Sequence, residues 1–175
     1  MADPDEVAIS HLQRRKIEAR VLLPLLQTLK EKLGEDVTRE VLDATITRLA
    51  VSDGTTWAAS YGQTIAGLRR IALELWAGSG ALDIEMIGES ADHLDFNVTR
   101  CRYAEFFRDQ GLTDVGSRIH CNRDLAMITG FDSEIELGRS QTIMQGACRP
   151  RDRAAPRASR YPAAAAPRCN GAPRR

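Results

Sequence analysis

Leu82-Asp83-Ile84-Glu85-Met86 alternates apolar with acidic residues, and beyond Ser90-Ala91-Asp92 the alternation resumes in Leu94-Asp95-Phe96-Asn97-Val98. Successive side chains of a strand point to opposite faces, so period two on both sides of a short polar break predicts a β-hairpin. The hairpin sets the fold class, because the sequence before it has helical spacing. Gly78-Ser79-Gly80 marks the change of period.

Upstream, Ile9, Leu12, Ile17, Val21, Leu22, Leu25, Leu26 and Leu29 recur at near-helical intervals, with Arg14, Arg15 and Glu18 between them. This predicts an amphipathic helix over residues 7–33, kinked or split near Leu23, because Pro24 removes a backbone donor and crowds the preceding turn. Gly34 supplies a stop, and Asp36 is placed to cap a second helix carrying Val37, Val41, Leu42, Ile46 and Leu49 toward Trp57 and Tyr61. A third helix is expected over 63–76. Downstream of the hairpin, short helices are expected over 100–110, 113–120 and 122–128, then a last strand over 135–144. Helices, hairpin, short helices and strand in that order predict an α+β fold, with N-terminal helices packed on a small antiparallel sheet. A doubly wound parallel sheet would need strands alternating with helices throughout.

The chain has 175 residues, 43% hydrophobic and 27% charged, enough for one core. Its formal charge of zero is unevenly spread: residues 148–175 hold eight Arg against one Asp, +7, which leaves −7 on residues 1–147. An acidic body does not favour nucleic acid as a partner. The start is acidic and leads into no apolar run, and no stretch approaches the roughly 20 apolar residues that span a bilayer. The expectation is a soluble, cytoplasmic protein with no membrane partner, in which Cys101 and Cys121 stay thiols. Residues 148–175 also hold eight Ala and five of the seven Pro, and no Leu, Ile, Val, Phe or Met. Such a composition offers little burial to offset ordering entropy. It predicts a disordered tail beside a domain at 1–147, itself divided into a helical part at 1–80 and a mixed part at 81–147.

Between these regions runs Phe96-Asn97-Val98-Thr99-Arg100-Cys101-Arg102-Tyr103-Ala104-Glu105-Phe106-Phe107. It is followed in order by Gly111-Leu112, Val115-Gly116, Cys121-Asn122-Arg123-Asp124, Phe131 and Arg139-Ser140-Gln141-Thr142-Ile143-Met144-Gln145-Gly146-Ala147. Taken together, these blocks resemble the L-2-amino-thiazoline-4-carboxylic acid hydrolase family. The resemblance implies ring opening of a cyclic isothiourea by water, giving N-carbamoyl-cysteine, a step of cysteine biosynthesis. Members of that family continue after the Gly-Ala with a Cys-Asp-Phe-Arg type strand, where this chain has Cys148-Arg149-Pro150-Arg151-Asp152-Arg153. We hypothesise that a frameshift in GC-rich coding DNA begins near residue 148, leaving the product truncated in its fold and inactive. Sequencing the coding region in all frames tests this, and related chains bearing the same tail would remove it.

The amidine-like carbon of such a ring is a poor electrophile until protonated, so catalysis needs an acid and either an activated water or a covalent nucleophile. Cys121 and Asp124, three residues apart, would share one helix face. Either a Cys121 thiolate attacks while Asp124 binds the ring nitrogens, or Asp124 activates water while the thiol packs. A purely structural pair, with Asp124 favoured by a helix start, is the third reading. Cys101, between Arg100 and Arg102, is the other candidate nucleophile. Arg100 or Arg139 could hold the substrate carboxylate in a bidentate contact, with Tyr103 and His120 completing the substrate-binding set. His11 is expected at the surface, and Trp57, Tyr61 and Trp76 in the core. No CxxC or HxxxH spacing supports a metal, and no cofactor motif occurs. A noncatalytic small-molecule sensor built on the same pocket is the alternative function, and self-association into a homo-oligomer is left open.

Overall fold

The computed structural model describes residues 9–147 and 151–157. Helix α1 (His11–Leu33) begins with a capping box, in which the Ser10 hydroxyl accepts from Gln13 N and the Gln13 side chain accepts from Ser10 N. It runs through Pro24 without splitting. Its apolar stripe does not behave as expected: Leu12, Arg15, Ala19 and Leu26 are buried, while Ile17, Val21 and Leu25 face outward.

Helix α2 (Glu35–Tyr61) starts at Gly34, not at an Asp36 cap, and ends at Gly62. Helix α3 (Ile65–Arg70) is capped by Thr64, whose hydroxyl accepts from Gly67 N, and it continues as a wider π-type turn over Ile71–Trp76. The hairpin forms as expected from β1 (Leu82–Glu89) and β2 (Leu94–Cys101), antiparallel, with Met86 opposite Phe96.

The remaining helices are α4 (Arg102–Asp109), α5 (Thr113–Gly116), which passes into a second π-type turn over Ser117–Cys121, and α6 (Asn122–Phe131). The expected strand over 135–144 is shorter. Strand β3 spans Ile135–Arg139, and a single 3-10 turn at Ile143–Gln145 follows. The Thr142 hydroxyl caps that turn by accepting from Gln145 N, and Gly146 closes it at φ 94°.

The largest departure is β4 (Arg151–Pro156), which lies inside the segment expected to be a tail. The sheet order is β1-β2-β4-β3, antiparallel throughout, so β4 sits between its neighbours and is not an edge. The domain therefore extends past residue 147. Composition concealed this strand because it needs no large apolar side chain: its backbone is paired on both sides, Ala154 is a small core residue, and Asp152 is buried. Pro156 stands at the strand end, where a missing N–H is least costly. The rest of the predicted tail, residues 158–175, lies outside the described residues.

Two apolar clusters fill the interior. One joins the sheet (Leu94, Phe96, Leu137, Ala154) to α3 and α6 through Leu68, Ile71, Met127 and Phe131. The other joins α1, α2 and α4 through Leu12, Ile46 and Phe107. Helices α2 and α6 approach so closely that a Cβ on Gly54 would overlap the Met127 carbonyl oxygen, and one on Gly130 would overlap that of Val51. Among the described residues no helix is long and apolar enough to cross a membrane.

Candidate active site

Between the two clusters lies a cavity of about 90 Å³. Since one water needs about 10–15 Å³ measured this way, the space suits several waters or one small molecule. Strand β2 and the start of α4 bring Cys101 and Tyr103 to it, the second π-type turn and α6 bring His120, Cys121 and Asp124, and the end of β3 brings Arg139. Six of the seven residues singled out in the sequence thus share one cavity. Arg100 does not: it is exposed on the hairpin and forks onto Glu105 at 2.7 and 3.2 Å.

Arg139 organises one part of the wall. Its Nε donates to Asp152 Oδ1 (2.5 Å), one terminal nitrogen donates to Asp124 Oδ2 (3.0 Å) and Asp152 Oδ2 (3.2 Å), and the other donates to the Cys121 carbonyl (2.8 Å). That carbonyl closes the π-type turn, where the wider winding disturbs the usual helix pairing. One guanidinium therefore faces two carboxylates. Asp152 holds the bidentate contact and Asp124 the single one, and burial pushes the Asp124 carboxyl up against the opposing pull of Arg139. Arg139 itself is raised far above its ordinary value by Asp124 and Asp152, which outweigh its burial.

Both thiols are free and neutral. Burial, reinforced by the Asp124 charge, pushes Cys121 up to about 12. Cys101 is the N-cap of α4, where its sulfur accepts from Ala104 N at 3.3 Å, yet burial raises it too. The flanking arginines do not produce a thiolate, because sequence neighbours of a strand residue point away from it.

Another part of the wall was not apparent in the sequence. His11, expected at the surface, lines the cavity with Arg15, and so does Trp57. The Tyr103 hydroxyl lies 2.9 Å from His11 Nδ1 and 3.3 Å from the carbonyl of Trp76, which ends the first π-type turn. Arg15 bonds Glu18 (2.6 Å) and Asp53 (3.4 Å), and Arg123 bonds the same oxygen of Asp53. Burial, then the charges of Arg15 and Arg123, hold His11 down to about 4 and His120 to about 3, so both imidazoles are neutral near pH 7. The signal for Arg15 in the sequence was only its position on α1 in line with Leu12, Ala19 and Leu26. No group of three or more His, Cys, Asp or Glu among the described residues is placed to hold a metal ion.

The fold is a mixed helix-and-sheet domain that encloses a small, largely apolar cavity with carboxylate, guanidinium, imidazole and thiol groups on its wall. The sequence profile of the L-2-amino-thiazoline-4-carboxylic acid hydrolase family matches residues 14–149, and the chain belongs to that family. The match stops short of β4. Among solved structures, one similar chain is the phenol-responsive sensory domain of the transcription activator PoxR, crystallised with phenol. The two are 14% identical, with a TM-score of 0.45 over 78% of this chain and 73% of that one. No curated protein matches.

Proposed function

We propose that this chain hydrolyses a small cyclic isothiourea or amidine acid of the 2-aminothiazoline-4-carboxylate type, giving an N-carbamoyl-cysteine-type product. The observation that supports this reading is Asp124: a carboxyl raised by burial, held at 3.0 Å by Arg139, on the wall of a cavity sized for one small molecule. Burial makes this carboxyl easier to protonate than an exposed one, which suits it to give and take a proton during turnover.

The ring carbon is bonded to one sulfur and two nitrogens. Asp124 donates its proton to the ring nitrogen, which makes that carbon electrophilic. The resulting carboxylate takes a proton from a water as its oxygen bonds to the carbon. Collapse of the tetrahedral adduct moves the hydroxyl proton to the departing sulfur, breaks the carbon–sulfur bond and leaves a carbamoyl group and a thiol. One water is consumed and Asp124 regains its acid form. Arg139 acts as a positioning residue, since its hydrogen bonds fix the Asp124 carboxyl and leave little of the fork for substrate.

Cys121 at about 12 favours water over a thiolate as the nucleophile. In this account Cys101, Cys121 and Tyr103 shape the pocket around the ring, and Arg100 has no part. The reaction is assigned to the cytoplasm, where both cysteines remain thiols. Incubating the protein with 2-aminothiazoline-4-carboxylate and following the product by mass spectrometry tests the proposal. Binding with no ring opening would replace it with a noncatalytic small-molecule-binding domain.

A further inference from the structure

Four buried nitrogens among the described residues have no hydrogen-bond partner and belong to residues lining this cavity: His11 Nε2, Arg15 Nε, His120 Nε2 and Arg123 Nε. Buried polar atoms are nearly always paired, so four orphans on one wall call for a ligand. Arg15 and Arg123 are 6% and 9% exposed. Neither is a surface cation that folded inward by chance, because both are bridged by the same Asp53 oxygen.

The group they would take is set by their chemistry. Guanidinium Nε–H can only donate. The Tyr103 hydroxyl donates to the Trp76 carbonyl at 3.3 Å and lies 2.9 Å from His11 Nδ1, which ties the His11 ring to the same wall. A carboxylate offers about four acceptor sites and no donor. We infer that Arg15 and Arg123, with His11 and His120 beside them, form the subsite for the carboxylate of the ligand. This deepens the proposed function and rests on it for the identity of the ring.

The assignment also replaces the carboxylate partners suggested by sequence. Arg139 is engaged by Asp124, Asp152 and the Cys121 carbonyl, and Arg100 lies outside the cavity. Tyr103 stands between the two parts of the wall, its hydroxyl against His11 and its backbone two residues past Cys101 at the start of α4. A ligand anchored by its carboxylate at the arginines would therefore extend past Tyr103 and present its ring to Asp124. Cyclic amidines lacking the acid group would bind poorly.

Trp57 and Trp76 are the chain's two tryptophans and both line the cavity, so intrinsic fluorescence reports occupancy. The full chain is titrated with 2-aminothiazoline-4-carboxylate and with its 4-carboxamide. The acid is expected to bind at least ~10-fold tighter than the amide, and Arg123→Gln or Arg15→Gln to bring the two together. Equal affinity of the unaltered protein for acid and amide overturns the inference with no variant needed, and so does an acid preference that survives in both variants. A parallel turnover assay separates this from the function: acid preference without ring opening sustains the subsite and removes the hydrolase, whereas ring opening of acid and amide alike does the reverse.

Discussion

Asp124 and Cys121 lie side by side on the cavity wall and carry opposite expectations. Asp124→Asn keeps the shape and the Arg139 contact but cannot cycle a proton, so kcat is expected to fall by about 10²–10⁴-fold while the ligand still quenches tryptophan fluorescence. Cys121→Ala removes a thiol that is neutral near pH 7, and kcat is expected to fall less than ~10-fold. Loss of turnover on the scale of the Asp124 variant, or a covalent adduct on Cys121 trapped by acid quench, would transfer the chemistry to the thiol. Asp152 has a different task. Removing it with Asp152→Ala strips Arg139 of its bidentate partner and leaves the single Asp124 contact, and is expected to cost about 1.5–3 kcal/mol, measured by denaturant unfolding, the scale of lost hydrogen bonds to a charged group. The six motif residues that meet at the cavity were legible because they cluster in one short stretch of chain. His11, Arg15 and Asp53 were not: the bond from Arg123 to Asp53 spans 70 positions, and nothing local to α1 distinguishes an inward arginine from a solvated one.

At the scale of elements, the crossing of α2 and α6 depends on Gly54 and Gly130, where added methyls meet backbone and not the yielding end of a side chain. Gly54→Ala or Gly130→Ala is expected to destabilise the protein by about 1–3 kcal/mol or more, seen as a lowered urea midpoint. An unchanged midpoint would mean that the helices sit farther apart. The hairpin and the short helices were legible because period two and period 3.6 are written in large apolar residues. Helix α1 misled for the opposite reason: Ile17, Val21 and Leu25 face outward, and its buried face sets an arginine and an alanine between Leu12 and Leu26. Strand β4 left almost no trace, since Ala154 and an ion-paired Asp152 carry its inward side. Ala154→Lys places a charge in the core and is expected to abolish cooperative unfolding. A chain ending at Ala147 is expected to fail likewise, because β2 and β3 would face each other with no strand between them.

For the whole molecule, the neutral imidazoles tie folding to pH. Both are depressed below the ordinary 6.5, to about 4 for His11 and about 3 for His120. The unfolded chain therefore binds protons first as pH falls. Their contribution to stability is complete above about 6.5 and is lost as pH drops toward 4 and 3. Asp124, raised in the fold, acts with the opposite sign. His120→Gln isolates the imidazole part: the fall in stability between pH 6.5 and 4.5 should be shallower than in the unaltered protein, and an identical slope would show that His120 is already protonated in the fold.

Ring opening by water through Asp124 leaves an isotopic mark, read by mixing the protein with 2-aminothiazoline-4-carboxylate in ¹⁸O-labelled water and following the product by mass spectrometry. The unaltered protein, and not Asp124→Asn, is expected to form N-carbamoyl-cysteine carrying one heavy oxygen in its carbamoyl group. Substrate recovered intact while it visibly occupies the cavity, or product formed equally by the Asp124 variant, would contradict that route.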